Sequence, residues 1–204
     1  MDTELDIQRF FQEVASICAL GQAQQEERNR KGENYNLFSI LSIERYELKH
    51  SALIANLLDP KGSHGCGDAF LRAFFEIALK GTAYPFEKCT LPHSYTEYYT
   101  GPIAGDTGGR IDILVKSSHY GLIIENKIYA GDQDKQLIRY DNYGKTDLKA
   151  DRYLLVYLTL FGNEASEGST AKGSTKEVDY LCLSYAEDIL RWLEQCARLA
   201  YDKP

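Results

Sequence analysis

Two apolar strands interrupted by charge decide the fold: Gly109-Arg110-Ile111-Asp112-Ile113-Leu114-Val115 and, after a short polar gap, Gly121-Leu122-Ile123-Ile124-Glu125-Asn126-Lys127-Ile128. Side chains alternate along a strand, so Arg110, Asp112 and Leu114 share one face and Ile111, Ile113 and Val115 take the other. Ile123, Glu125 and Lys127 share a face in the same way. A four-residue hairpin loop over 117–120 sets Val115 opposite Leu122 and, counting back, Asp112 opposite Glu125. Two carboxylates and an ammonium then converge on one side of a hairpin otherwise built of Ile, Leu and Val.

Facing carboxylates repel, which costs stability unless a cation lies between them. Mg²⁺ suits the position, because it takes hard oxygen ligands and commonly uses one or two carboxylates plus waters and substrate phosphate. The backbone carbonyl of Asn126 offers a third protein ligand, and Mn²⁺ is the natural substitute. Lys127 lies within reach of a metal-bound water or of the attacked phosphate, where it orients the nucleophile and offsets developing charge. This is equipment for metal-assisted phosphodiester hydrolysis. Taken alone, Asp-x12-Glu-x-Lys arises often by chance, and an exposed Glu-x-Lys pair is worth under about 1 kcal/mol. The surrounding apolar strands and the helix that follows shift the balance.

That helix is expected over 132–143, with Asp132 as its N-cap and Gln136 and Tyr140 four residues apart on one face. Arg-Ile-Asp-Ile-Leu, Ile-Ile-Glu-Asn-Lys-Ile and Gln136-x-x-x-Tyr140 resemble the PD-(D/E)XK nuclease superfamily, with its restriction-endonuclease-like fold and the Q-x3-Y helix of its RecB-like branch. The resemblance implies that Asp112 and Glu125 bind Mg²⁺, that Lys127 supports the nucleophile, and that Gln136 and Tyr140 help to position DNA. It extends upstream through Glu47-Leu48-Lys49-His50-Ser51 and Leu57-Leu58-Asp59-Pro60, similar to the front helices of an uncharacterised bacterial subgroup. There it implies an accessory acidic ligand, with Glu47 as the candidate and Glu44 its competitor; a solvated helical Glu accounts for either equally well. The Pro-Asp dipeptide that names the superfamily is replaced by Arg110-Ile111 before Asp112. The fold so implied is α/β: a mixed β-sheet flanked by helices, preceded by an N-terminal helical portion.

Outward from this centre, Leu5, Ile7, Phe10, Phe11, Val14, Ile17 and Cys18 recur at helical spacing and predict a helix over 4–20, and 22–36 reads as its tail running into a solvated loop. Further helices are expected over 43–58, stopped at Asp59-Pro60, and over 68–80, stopped at Gly81. Strands are expected at 95–100, 110–116, 121–128 and 152–160, the last an interior strand because it is continuously apolar. The intervening helix makes the third and fourth strands parallel. The tract 162–176 reads as a mobile surface loop; a short strand over 179–183 and a helix over 184–200 close the chain. We expect one domain over 1–204, with 1–81 mainly helical and 95–200 carrying the sheet.

With 23 basic and 30 acidic residues the formal net charge is −7, which excludes a surface that binds polyanions over its whole extent. Between Arg110 and Arg152, however, eight basic residues meet seven acidic ones, so neutralising Asp112 and Glu125 makes a small positive island. Nucleic acid, DNA before RNA, is the partner it suits, and its small size calls for a homo-oligomer or a protein partner to raise affinity. Arg110 serves equally as a phosphate clamp or as a salt-bridge partner. Glu97 is either a further acidic ligand or an ordinary strand residue. His50, His64 and Cys66 lack a fourth ligand at zinc spacing, and His119 falls in the hairpin loop. The five cysteines are scattered, no run approaches the length that spans a bilayer, and the start is acidic, so we expect a cytoplasmic protein with reduced thiols. The function expected is a Mg²⁺-dependent nuclease; the rival is a catalytically silent nucleic-acid- or protein-interaction module that keeps the fold.

Overall fold

The computed structural model describes residues 2–32, 36–82, 92–118, 120–148, 152–170 and 178–201, with side chains from Ile7 onward. Cys89, His119, Lys149 and Asp151 lie outside the described residues. By compactness the chain divides into two units, Met1–Glu44 and Arg45–Pro204, so the helical portion expected over 1–81 is shared between them.

The first unit holds α1 (Asp2–Arg30) and the single turn α2 (Leu37–Ile40). Helix α1 runs ten residues past the point where its apolar periodicity fades. Gln, Glu and Arg are good helix formers, and Glu27 pairs with Arg30 and Lys31 at 2.8 and 3.4 Å across one turn.

The second unit opens with α3 (Glu47–Leu58) and α4 (Ala69–Ile77). Helix α3 starts four residues later than its hydrophobic pattern suggests, behind a turn in which Ser42 adopts a φ of 54°. A five-stranded sheet follows in the spatial order β1 (His93–Ala104), β2 (Thr107–Lys116), β3 (Tyr120–Lys127), β4 (Arg152–Thr159), β5 (Leu181–Ser184). The first three strands are antiparallel. β4 and β5 run parallel to β3, with α5 (Gln136–Thr146) as the crossover between β3 and β4, so the sheet is mixed as expected. A short α6 (Glu167–Thr170) precedes β5, and a π-helical turn over Tyr185–Ile189 leads into α7 (Leu190–Tyr201).

Helices cover both faces of the sheet. On one face, Ile113, Val115, Leu122, Ile124, Val156 and Leu158 pack against Leu58, Leu71, Phe74 and Trp192 from α3, α4 and α7. On the other, Ile111, Leu114, Ile123, Leu155 and Tyr157 pack against Leu137, Tyr140 and Tyr143 of α5. Strict alternation would have placed Ile111 with Ile113. Instead Ile111 joins the α5 side, at a break where β2 stops pairing with β3 after Ile113↔Ile124 and the neighbouring Glu97 of β1 takes a φ of 51°. Asp112 sits at that break.

Strands β1 and β2 run longer than expected and form an arm that reaches Ala104↔Thr107, with register shifts on both sides of Gly101. Gly101, Gly108 and Gly109, all at positive φ, lie within the arm where it bends, and Gly105 lies in its turn. Gly109, with a φ of +128°, lies so close to α5 that a Cβ there would come within 3.2 Å of the Tyr140 ring. Of the tract 162–176 expected to be a mobile surface loop, 171–176 lie outside the described residues, and the rest ends in a helical turn over Glu167–Thr170 packed on the domain. Ser169 and Thr170 are buried, and Ser169 Oγ accepts from the Leu137 N–H at 3.2 Å.

Candidate active site

Ser117 closes the β2–β3 hairpin, its N–H donating to the Tyr120 carbonyl at 2.9 Å and its hydroxyl accepting from the Tyr120 N–H at 3.0 Å. Val115 pairs with Leu122 as the four-residue loop requires, and the same register carried past the last paired rung sets Asp112 against Glu125. There the ladder is continued by a side chain: Asp112 Oδ2 accepts the Asn126 N–H at 2.8 Å. Lys127 Nζ lies 2.8 Å from Glu125 Oε1, and Gln136 Nε2 donates to that same oxygen at 2.5 Å. The other oxygen, Glu125 Oε2, is buried and has no hydrogen-bond donor.

The electrostatics follow from this crowding. Burial pushes Asp112 up to about 6, helped by the charges of Glu97 and Glu47 and opposed by the Asn126 N–H and Lys127. Burial, and then the facing charge of Asp112, raises Glu125 well above the usual carboxylate range. Burial alone would lower Lys127, but Glu125, Asp112 and Glu47 outweigh it and the ammonium is held more firmly than usual. Two acids that resist ionisation together, beside a fixed ammonium and an unpartnered buried oxygen, make a position that a divalent cation fits. Asp112 and Glu125 are its natural carboxylate donors. Among the described residues, no three His, Cys, Asp or Glu side chains group closely enough to hold a metal.

Glu47 has a different setting from the expected one. Its Oε1 accepts three successive backbone N–H groups, from Ile128, Tyr129 and Ala130 at 2.8, 2.9 and 2.9 Å. Those bonds, with Lys127, hold its carboxyl below the ordinary range in spite of burial. Glu47 is thus a clasp on the chain leaving β3, a role the expectation of an accessory metal ligand did not include. Glu44 belongs to the first unit.

Asn126 points to the opposite face of the sheet and is fully buried. Its Nδ2 donates to Ser51 Oγ at 3.0 Å and to the Glu47 carbonyl at 3.3 Å, and its Oδ1 accepts from Tyr185 at 2.9 Å. This hub fixes the peptide between Glu125 and Lys127. Sequence reasoning gave Asn126 only a backbone role and missed Ser51 and Tyr185. A hydrophilic residue inside a run of Ile was the available signal, since buried amides need partners.

Gln136 and Tyr140 do share a face of α5. Gln136 borders the cleft, and its Nε2 also lies 3.3 Å from the Tyr140 hydroxyl. Tyr140 is 1% exposed and donates to the Arg110 carbonyl at 2.6 Å, so it fastens the arm to α5 beside the site. Arg110 lies at the cleft with its guanidinium 3.1 Å from Glu97. Asp132 is not the helix cap: α5 begins at Gln136 behind Lys135, which has a φ of 55°, and Asp132 accepts instead from the Tyr157 hydroxyl at 2.8 Å and the Ser166 N–H at 2.7 Å. His64 bonds the Asp59 carbonyl and the Cys66 N–H and stacks on Phe70, while His50 meets the Tyr185 ring edge to face. The cleft above the acids holds about 560 Å³, with Tyr99, Pro102, Ile103 and Arg110 of the arm on one side and Gln133 and Gln136 on the other. No helix among the described residues is long and apolar enough to cross a membrane.

A family model described as the PD-(D/E)XK nuclease superfamily matches residues 35–203, which takes in nearly all of the second unit. No curated protein and no solved structure matches the chain.

Proposed function

Because the chain belongs to the PD-(D/E)XK nuclease superfamily, we propose that it hydrolyses phosphodiester bonds, in DNA before RNA, with Mg²⁺ or Mn²⁺ held by Asp112, Glu125 and the Asn126 carbonyl. The observation that carries this reading is the pair of facing carboxylates with Glu125 Oε2 buried and undonated, and Lys127 2.8 Å from Oε1. The ion, when bound, supplies positive charge at the attacked phosphate and lowers the pKa of a water. Glu125 is kept in place by Gln136, and Asp112 by the Asn126 N–H. Lys127 orients the attacking water and offsets charge that builds on the phosphate. Arg110 binds a neighbouring phosphate after giving up part of its pairing with Glu97.

A retired site would have little reason to keep two buried acids whose mutual repulsion is a cost, and this weighs against the silent module. The test is incubation of wild type and Lys127→Ala with linear, circular, single-stranded and structured DNA, and with RNA, in Mg²⁺ and in Mn²⁺. Cleavage by wild type, lost in the variant and without metal, is the expected result. No cleavage of any substrate, with no thermal shift on adding either ion, would establish the module instead.

A further inference from the structure

We propose that Tyr99 is a stacking platform for an unpaired nucleobase, which makes single-stranded DNA the substrate class of this cleft; the proposal rests on the nuclease reading. Tyr99 pairs with Arg110 across the arm and lines the same cleft as the two acids, yet it is 62% exposed. Ile103, further along that wall, is 61% exposed. Single exposed apolar residues need no explanation, but an aromatic ring and an aliphatic one on the wall of a polar cleft form a surface of the kind that bases cover.

Two further features favour stacking over grip on the backbone, and the size of the cleft agrees with them. The cleft's cations, Arg110 and Lys127, each already face a carboxylate on a protein of net charge −7, so phosphate attraction is modest and another source of affinity is required. The arm is also a fixed wall. Lys135 Nζ reaches Asp106 Oδ1 at 2.8 Å, Asn142 Nδ2 the Asp106 carbonyl at 2.8 Å, and Arg139 Nε the Gly108 carbonyl at 3.0 Å. A platform already in position loses little freedom when a base lands on it. Finally, a cleft of about 560 Å³ is of the size that takes one nucleotide unit against its wall.

The experiment measures binding of a single-stranded oligodeoxynucleotide carrying 2-aminopurine, in Ca²⁺ and in the Lys127→Ala background so that the strand stays intact. Stacking quenches the probe. Tyr99→Ala should bind about 5- to 150-fold more weakly and lose the quenching, Tyr99→Phe should keep both, and the same sequence as a fully paired duplex should bind more weakly than the single strand. Equal binding by Tyr99→Ala, or preference for the duplex, overturns the platform. Cleavage assays on the Lys127-containing protein separate the two readings. Tyr99-dependent binding without cleavage in Mg²⁺ or Mn²⁺ leaves the base site standing and removes the nuclease, whereas cleavage indifferent to Tyr99 does the reverse.

Discussion

The two faces of the sheet are built from the same strands for opposite ends. On the side of α3, α4 and α7, residues such as Ile113, Ile124, Phe74 and Trp192 form an apolar layer that holds neutral, paired polar side chains: Trp192 donates its N–H to the Phe70 carbonyl at 2.8 Å, and Asn126 bonds Ser51 and Tyr185. On the side of α5 a comparable layer of Ile, Leu and Tyr gives way, at the strand ends, to Glu125 at 1% exposure with Asp112 and Lys127 beside it. One face gains from burial, roughly 25 cal/mol per Å² of apolar surface. The other gives up part of that gain to keep charge where water is scarce and electrostatic interactions are strong. Substitutions should therefore separate by face: stability on the first, chemistry on the second.

The largest separation should come from Lys127→Ala against Trp192→Ala. Lys127→Ala should lower single-turnover cleavage by about 10²- to 10⁴-fold while Mg²⁺ binding, followed by thermal shift, persists. Its denaturant midpoint should change little, because the removed ammonium leaves behind an acid that readily takes a proton. Trp192→Ala should cost about 3–5 kcal/mol in denaturant unfolding, since it empties a fully buried site against Phe74 and leaves the Phe70 carbonyl without its donor. If Trp192→Ala stays folded, its site chemistry should be intact. Loss of stability in the first variant, or of chemistry alone in the second, would break the division.

A pH series sharpens the same contrast. Asp112 sits near 6 in the folded protein against roughly 3.9 in an unfolded chain, so between those values the native state binds more protons. Metal-free stability should therefore fall as pH rises from about 4 to above 6, by about 3 kcal/mol from this group, with Glu125 adding in the same direction. Asp112→Asn should flatten that dependence and raise stability at neutral pH. Saturating Mg²⁺ should flatten it too, by favouring the ionised form, and Mg²⁺ affinity should weaken as the solution is made more acid than pH 6. Unfolding curves at several pH values, with and without Mg²⁺, measure all of these.

Much of this contrast was legible in the residues, because a hairpin's register follows from its loop length. Val115 opposite Leu122 was enough to bring Asp112 to Glu125. Elements with strong periodicity, such as β3, β4 and α7, also fell close to where the pattern put them. What failed depended on partners distant in sequence. Asp132 has an ordinary N-cap composition but is taken by Tyr157 and Ser166, which releases the start of α5 to Gln136. The bent arm of β1 and β2 is set by cross-strand pairing around Gly101, Gly108 and Gly109, which the local pattern does not show. Tyr140 matched a motif whose spacing says which helix face it occupies but not whether that face is covered.

Glu47 gives the smallest and most discriminating test, because two roles at one residue predict opposite results for the same change. As a clasp, its Oε1 needs only to accept three N–H groups, and an amide oxygen accepts them less strongly but in the same place. Glu47→Gln should then cost only about 1 kcal/mol, keep the Mg²⁺-induced thermal shift and leave cleavage within a few-fold of wild type. Glu47→Ala removes the acceptor altogether, so three N–H groups lose their partner at the point where the chain leaves Lys127. That variant should lose more stability than Glu47→Gln, and a larger share of its activity through kcat than through metal affinity. If Glu47 were a ligand, the charge itself would matter, and Glu47→Gln would weaken Mg²⁺ binding nearly as much as Glu47→Ala. A Mg²⁺ titration of both variants, read by thermal shift and by cleavage rate, therefore decides whether the acid at the head of α3 belongs with Asp112 and Glu125 or with the backbone that supports them.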